Sequence, residues 1–160
     1  MQRLLLGAGV AAVVCFMLAG CASNEATIVF EPRASLAQYK VVELADVVPV
    51  VIEMSSELVE STRTRIQEEL DGAGLSIRPD TPPGAILVMR ASVGTAFKRG
   101  HGTQCRIDAI LSDKTTNETK GNVSTLQEGY LSVDFSRTAA CKLAADAVVS
   151  AIQARMSARR

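Results

Sequence analysis

Hydrophobic positions along this chain follow two different periods. Residues 55–70 place an apolar or threonine side chain at every fourth position and charges on the opposite face, which predicts an amphipathic helix. The Ala-rich residues 138–156 favour a second helix. Residues 105–112 instead alternate between apolar and polar side chains, as a half-buried strand does. The chain therefore combines helices and strands.

The remaining strands are predicted from apolar and β-branched stretches that turn residues bound. In chain order they cover about residues 28–30, 39–44, 75–77, 85–97 and 121–127. The apolar residues 47–52 contain Pro49, which predicts an edge strand, a bulge or a packed loop. The main order β-α-β-β-β-α predicts an α+β fold, with a mostly antiparallel sheet and two helices on one face.

The first 20 residues carry a pattern that belongs to export and not to the fold. Arg3 precedes an apolar stretch, residues 4–18, which is too short to span a bilayer comfortably. We therefore predict a cleaved signal peptide at 1–20, a tether at 21–26 and a single periplasmic domain at 27–160. Fully extended, residues 22–26 reach only about 17 Å.

The signal ends in Leu18-Ala19-Gly20-Cys21, which resembles the lipobox of bacterial lipoproteins. The resemblance implies that Cys21 receives a diacylglycerol and further acyl chains such as palmitate, so that membrane lipid anchors the mature chain. In well-studied enteric lipoproteins an Asp after this Cys signals retention in the inner membrane. Ala22 stands there, which implies a cell-envelope protein on the outer membrane, facing the periplasm.

Two cysteines remain once Cys15 leaves with the signal and Cys21 carries the lipid. In an oxidising periplasm, Cys105 and Cys141 most simply form a disulfide, worth roughly 3–4 kcal/mol in the chain-entropy treatment. The alternative is a pair of buried free thiols that behave as small hydrophobic side chains.

Composition excludes some partners. The formal net charge is zero and there is no Trp, so neither nucleic acid nor stacked bases and sugars is an expected ligand.

His101 is the single histidine and lies between two glycines, where nothing obvious holds the ring for catalysis. With Cys105 it makes too few ligands for zinc. Asp108 and Asp113 point to opposite faces of a strand. We predict no enzyme activity, no cofactor and no metal.

Two surface features are candidate contacts. The first is an apolar partner surface, whose alternative is burial against the first helix; it comprises Val47, Val48, Val50 and Val51. The second is a basic turn for a small ligand or glycan, whose alternative is ordinary solvated charge; it comprises Lys98, Arg99 and His101.

A second resemblance rests on the predicted hairpin, where Asp113, Thr116 and Asn117 occupy the places of an Asp-x-x-Thr-Gly motif. Together with the lipobox and the element order, this hairpin makes the chain resemble a group of uncharacterised envelope lipoproteins. Their domain is similar to the amino-terminal domain of the Tol translocation protein and to the curli-secretion lipoprotein. The resemblance implies an accessory or assembly role, with an envelope protein partner or self-association. The alternative is a small-ligand or glycan-binding lipoprotein.

Overall fold

The computed structural model describes residues 27–30, 36–50, 54–98, 102–128 and 137–158. Its α+β class and its order β-α-β-β-β-α from β2 onward confirm the prediction, and a short strand, β1, precedes them. The elements are β1 Thr27–Phe30, β2 Val41–Pro49, α1 Ser56–Gly72, β3 Ile86–Lys98, β4 Gly102–Asp113, β5 Thr119–Glu128 and α2 Arg137–Ser157. The predicted signal peptide and tether lie outside the described residues.

The strands form one sheet in the order β1-β5-β4-β3-β2. β2 and β3 pair in parallel, because α1 carries the chain back between them, and the other neighbours pair antiparallel. β4 lies at the centre and keeps its predicted alternation. Its core-facing side chains are fully buried: Cys105, Ile107, Ala109 and Leu111.

Both helices pack on this one face of the sheet and close a single core. α1 begins after Ser55, whose hydroxyl accepts a hydrogen bond from the Leu58 backbone N–H at 3.3 Å. Its predicted apolar stripe is buried, and α2 buries a wider, Ala-rich face. The buried helix residues are Leu58, Thr62, Ile66 and Leu70 in α1, and Ala140, Cys141, Ala144, Ala145, Val148, Val149 and Ile152 in α2.

An ion pair between Arg65 of α1 and Asp146 of α2 joins the two helices. The Arg65 guanidinium donates to both carboxylate oxygens of Asp146, with Nε–Oδ1 at 2.7 Å and Nη2–Oδ2 at 3.1 Å. Its Nη2 also lies 2.7 Å from the Glu69 carboxylate, an i,i+4 pair within α1. The hydrogen bond to Asp146 holds the pKa of Arg65 above its ordinary value. The pair fixes the relative position of the helices.

The predicted disulfide is present. Cys105 on β4 and Cys141 in the first turns of α2 are joined with an S–S distance of 2.09 Å and a Cα–Cα distance of 5.1 Å. Both residues are buried, because the alternation of β4 and the helical stripe of α2 turn them toward each other. The bond ties the central strand to the helix that covers it.

Two predicted boundaries are wrong. The segment at 75–77 is not a strand; it is a loop in which only the Leu75 carbonyl is tied to the sheet, accepting from the Val42 N–H at 2.7 Å. β2 does not stop at residue 44 but continues to Pro49. Proline is tolerated there because β2 is an edge strand, and a bulge interrupts its pairing between Leu44 and Asp46.

Candidate functional site

The sheet face that points away from the helices, here named the open face, exposes apolar side chains. Val48, Val50 and Ile110 are 43%, 60% and 51% exposed. Val48 lies in β2, Val50 directly follows it, and Ile110 lies in β4, with polar side chains between them. An antiparallel-rich sheet commonly leaves one face to solvent, but that face is then mostly polar. The exposed apolar residues therefore mark this face as a candidate interaction surface.

A shallow cavity of about 430 Å³ lies on the open face, and we name it the Val50 hollow. Its apolar part includes Val50, Gly94 and Leu126, and its polar part is built by Arg106 and Asp108. The full lining is Val50, Gly94, Thr95, Ala96, Gln104, Arg106, Asp108 and Leu126.

The charges in the Val50 hollow balance each other. The Arg106 Nε lies 2.8 Å from the Asp108 Oδ2, and the Ser124 hydroxyl donates to the Asp108 Oδ1. Asp108 is therefore already engaged, and it does not stand as an unpaired base for catalysis. A balanced pair beside exposed apolar carbon suits the rim of a protein contact better than it suits a charged small ligand.

The predicted valine surface is only partly on the outside. The prediction that Val47 belongs to an exposed partner surface is wrong, because Val47 is 4% exposed and packs in the core beneath the helices. Successive side chains alternate across a strand, so burial of Val47 turns Val48 to the open face. Val50 follows the end of β2 and also stands on that face. Val51 lies outside the described residues.

Of the basic turn, the structure describes only Lys98. Lys98 ends β3, while Arg99 and His101 lie outside the described residues, so a glycan or ligand contact there stays a prediction. Just before the turn, Phe97 is 70% exposed. No pattern in the sequence marks Phe97 as a candidate contact.

Phe97 is exposed because β3 is longer than the helix layer above it. β3 has 13 residues, about 40 Å at the strand rise, whereas α1 and α2 have 17 and 21 residues, about 25 Å and 32 Å at the helix rise. Phe97 stands on the same side as the buried Val93 but at the edge of the helix layer, where both helices begin. It borders a cavity of about 400 Å³ that is also lined by Met54, Leu58 and Arg137.

At the opposite end of the sheet, the β4–β5 turn is organised by Asp113. The Asp113 Oδ1 accepts from the backbone N–H of Thr115 at 2.7 Å and of Thr116 at 2.9 Å, and from the Thr115 hydroxyl. Its Oδ2 accepts from the buried Tyr39 hydroxyl at 2.9 Å. These bonds hold the pKa of Asp113 far below its usual range, and the hydrogen bond from the Thr115 hydroxyl lowers it most.

The remaining turn residues confirm the predicted hairpin chemistry. Asn117 adopts a left-handed backbone with φ of 55°, the conformation that a Gly would supply in the motif. Burial is the main cause that raises the pKa of Tyr39. Oδ1 of Asp113 bonds to the turn and Oδ2 bonds to the buried Tyr39, so we assign this cluster to structure and not to chemistry.

Neither a metal centre nor a spanning helix is found in the part of the chain that the structure describes. Across residues 27–158, apart from the gaps named above, no three His, Cys, Asp or Glu side chains gather closely enough to hold a metal ion. Over the same ranges, no helix combines the length and the apolar character that crossing a membrane requires.

Comparison with known proteins gives a fold but no family. The chain matches no protein-family model and no curated protein. Among solved structures it is similar to the PelC dodecamer from Paraburkholderia phytofirmans, with TM-score 0.57, 16% identity, and coverage of 84% of this chain and 99% of PelC. A variant of that protein with one Leu-to-Met substitution, in another crystal form, gives TM-score 0.56 at 16% identity, covering 80% of this chain and 97% of the variant.

Two further structures are more distant. A PDZ domain protein from Parabacteroides distasonis aligns with TM-score 0.50 and 9% identity over 84% of this chain and 36% of its own. A minor lipoprotein from Acinetobacter baumannii gives TM-score 0.43 and 10% identity over 74% and 91%, too low a score to carry an argument. At these identities, the likeness to PelC concerns the fold alone.

Proposed function

We propose that this protein is a lipid-anchored, non-catalytic lipoprotein of the cell envelope, which acts as an assembly module by associating with further copies of itself. The observation that carries the proposal is the open face, where Val48 and Val50 are exposed beside the Val50 hollow. PelC, which has a similar fold, forms a dodecamer. That fact makes a second copy of this chain the partner that we favour over an unrelated envelope protein.

The proposed anchor is membrane lipid attached through Cys21, at the outer membrane and with the domain in the periplasm. The lipobox-like Leu18-Ala19-Gly20-Cys21 supports it. The Cys105–Cys141 disulfide also supports it, because structural disulfides persist in oxidising compartments such as the periplasm. Metabolic labelling with a tagged palmitate tests the anchor: label should enter the wild-type chain and be lost in Cys21→Ser.

The geometry of β2 favours contact through side chains over strand addition. β2 is an edge strand, and exposed edges can recruit a further strand. Here a bulge between Leu44 and Asp46 and the proline at Pro49 interrupt the edge, and both features discourage such pairing. Val48 and Val50 remain free to pack against an apolar surface of the next copy.

Association is tested by placing a charge in the proposed contact. Val50→Asp would bury an unpaired carboxylate between copies, so it should convert the oligomer to monomer. Ile77→Asp is the matched control, because Ile77 is 44% exposed but lies in the loop after α1, away from the open face. Native mass spectrometry of the lipidated chain in detergent measures the mass, with thermal unfolding to verify that both variants fold.

The outcomes separate the alternatives. An oligomer in the wild type and in Ile77→Asp, but not in Val50→Asp, supports the proposal. A folded Val50→Asp chain that keeps the wild-type mass rejects this surface. A wild-type monomer that cross-links in cells to one different envelope protein rejects self-association.

A further inference from the structure

The proposed lipid anchor leaves the domain at one particular end of the sheet. Thr27, the first described residue, pairs with Leu126 near the end of β5. The same end carries the Lys98–Gly102 pair of β3 and β4, the cap of α1 at Ser55 and the start of α2 at Arg137. We name it the near end, and the end that carries the β4–β5 turn the far end.

The tether is too short to let the near end move away from the lipid. Residues 22–26 reach about 17 Å when fully extended, whereas the sheet is about 40 Å long. A domain tied to the bilayer at Cys21 therefore keeps its near end within about 17 Å of the membrane. The strands cannot stand upright with the far end on the same leaflet, because the near end would then lie about 40 Å away, beyond the reach of the tether.

We propose that the near end rests on the phospholipid leaflet, with Phe97 inserted at the boundary between phosphates and acyl chains. The inference rests on the proposed lipidation of Cys21. Phe97 supplies the apolar surface, because 70% of it is exposed. Arg137 is exposed on the same cavity and is placed to contact lipid phosphates.

The backbone of both helices adds to this chemistry. α1 and α2 begin at the near end, so the positive ends of both helix dipoles point toward the proposed phosphate layer. An aromatic side chain with basic neighbours is the usual composition of surfaces that lie in the membrane interface. Lys98, which follows Phe97 at the end of β3, extends that composition in the sequence.

This placement also orients the proposed assembly. The long strands would stand away from the membrane, and the Val50 hollow would lie beside the leaflet on a lateral face. Copies that associate through this face could then sit side by side with all of their anchors in one leaflet.

The absence of tryptophan from the chain makes the test direct. Phe97→Trp places a single indole at the proposed contact, and Ile77→Trp places one at a comparably apolar, exposed position toward the far end. Each lipidated full-length chain is reconstituted into vesicles of phosphatidylethanolamine and phosphatidylglycerol, with ordinary or brominated acyl chains. Mass spectrometry of the Cys21 peptide verifies lipidation, and thermal unfolding verifies the fold.

We expect brominated lipid to quench the emission of Phe97→Trp strongly and to leave that of Ile77→Trp nearly unchanged. A lipidated, folded Phe97→Trp chain that is quenched no more than Ile77→Trp overturns the membrane contact and leaves the proposed function standing. Blue-shifted emission without quenching places Phe97 against another copy, and it also overturns the contact. A Cys21 peptide without lipid overturns the proposed function and this inference together.

Discussion

The two ends of the sheet are held together by different means. At the far end, Asp113 accepts hydrogen bonds from the β4–β5 turn and from Tyr39, and Lys114 forms an ion pair with Glu43. Toward the near end the link is covalent, through Cys105 and Cys141, and Phe97 beyond it is exposed. One end uses its polar groups to stabilise the fold, and the other keeps apolar surface available for contact because a disulfide holds it.

The largest expected effect comes from removing the covalent link. Replacing both cysteines with alanine should lower the free energy of unfolding by about 3–4 kcal/mol, because the unfolded chain regains the freedom of the closed loop. Urea denaturation of the wild type and of the double variant measures the difference.

Reduction supplies the control for that experiment. A thiol reductant should destabilise the wild type by a similar amount and leave the double variant unchanged. If the oxidised wild type and the double variant unfold at the same urea concentration, the near end does not depend on its disulfide, and the contrast between the two ends fails.

An intermediate effect is expected at the far end. Tyr39→Phe removes a buried hydrogen bond to a carboxylate and should cost about 2 kcal/mol at neutral pH. The folded state lowers the pKa of Asp113, so its stabilisation is complete above the ordinary Asp value of about 4 and is lost as the pH falls through the lower, folded-state pKa. Urea titrations from pH 7 to pH 2 follow both effects.

The matched variant is Asp113→Asn, which cannot titrate but retains one oxygen acceptor. It should be less stable than the wild type at pH 7, and its stability should fall less steeply below pH 4. Parallel acid profiles for the two proteins would show that another carboxylate controls the acid transition.

The smallest expected effect concerns the backbone of the far-end turn. Asn117 has a positive φ, so Asn117→Ala should cost about 1 kcal/mol, whereas Asn117→Gly should be close to neutral. Phe97→Ser is the near-end counterpart, and as an exposed change it should alter stability by less than about 0.5 kcal/mol. Thermal unfolding ranks the three. A larger loss for Phe97→Ser than for Asn117→Ala would reverse the comparison.

The features that the sequence predicts well are those with a local period. The alternation around Cys105 and the apolar side chain at every fourth position around Ile66 each identify a buried face without knowledge of the partner element. The disulfide was predictable on another ground, since two cysteines remain for an oxidising compartment. Asn117 was predictable because turn geometry depends on a few neighbouring residues.

The candidate site was harder to predict because it depends on longer-range geometry. The apolar run at 47–52 has no polar residue to set the phase of its alternation, so the sequence does not show which of Val47 and Val48 faces the core; the bulge in β2 shifts that phase. Phe97 is exposed only because β3 extends past the helices, a consequence of packing that no local pattern contains. Residues 75–77 have the composition of a strand, but only the Leu75 carbonyl accepts a hydrogen bond from the sheet.

The pairing of β1 with β5 also determines how the domain responds to a mechanical load. A pull along the strand axis on the chain ahead of Thr27 loads β1 lengthwise, and β1 runs antiparallel to β5 from Thr27 opposite Leu126 to Phe30 opposite Val123. Such a force shears the hydrogen bonds of the ladder together instead of opening them one at a time. β5 passes the load to β4, where Cys105 is bonded to α2, so tension from the amino terminus is carried into a covalently closed part of the domain.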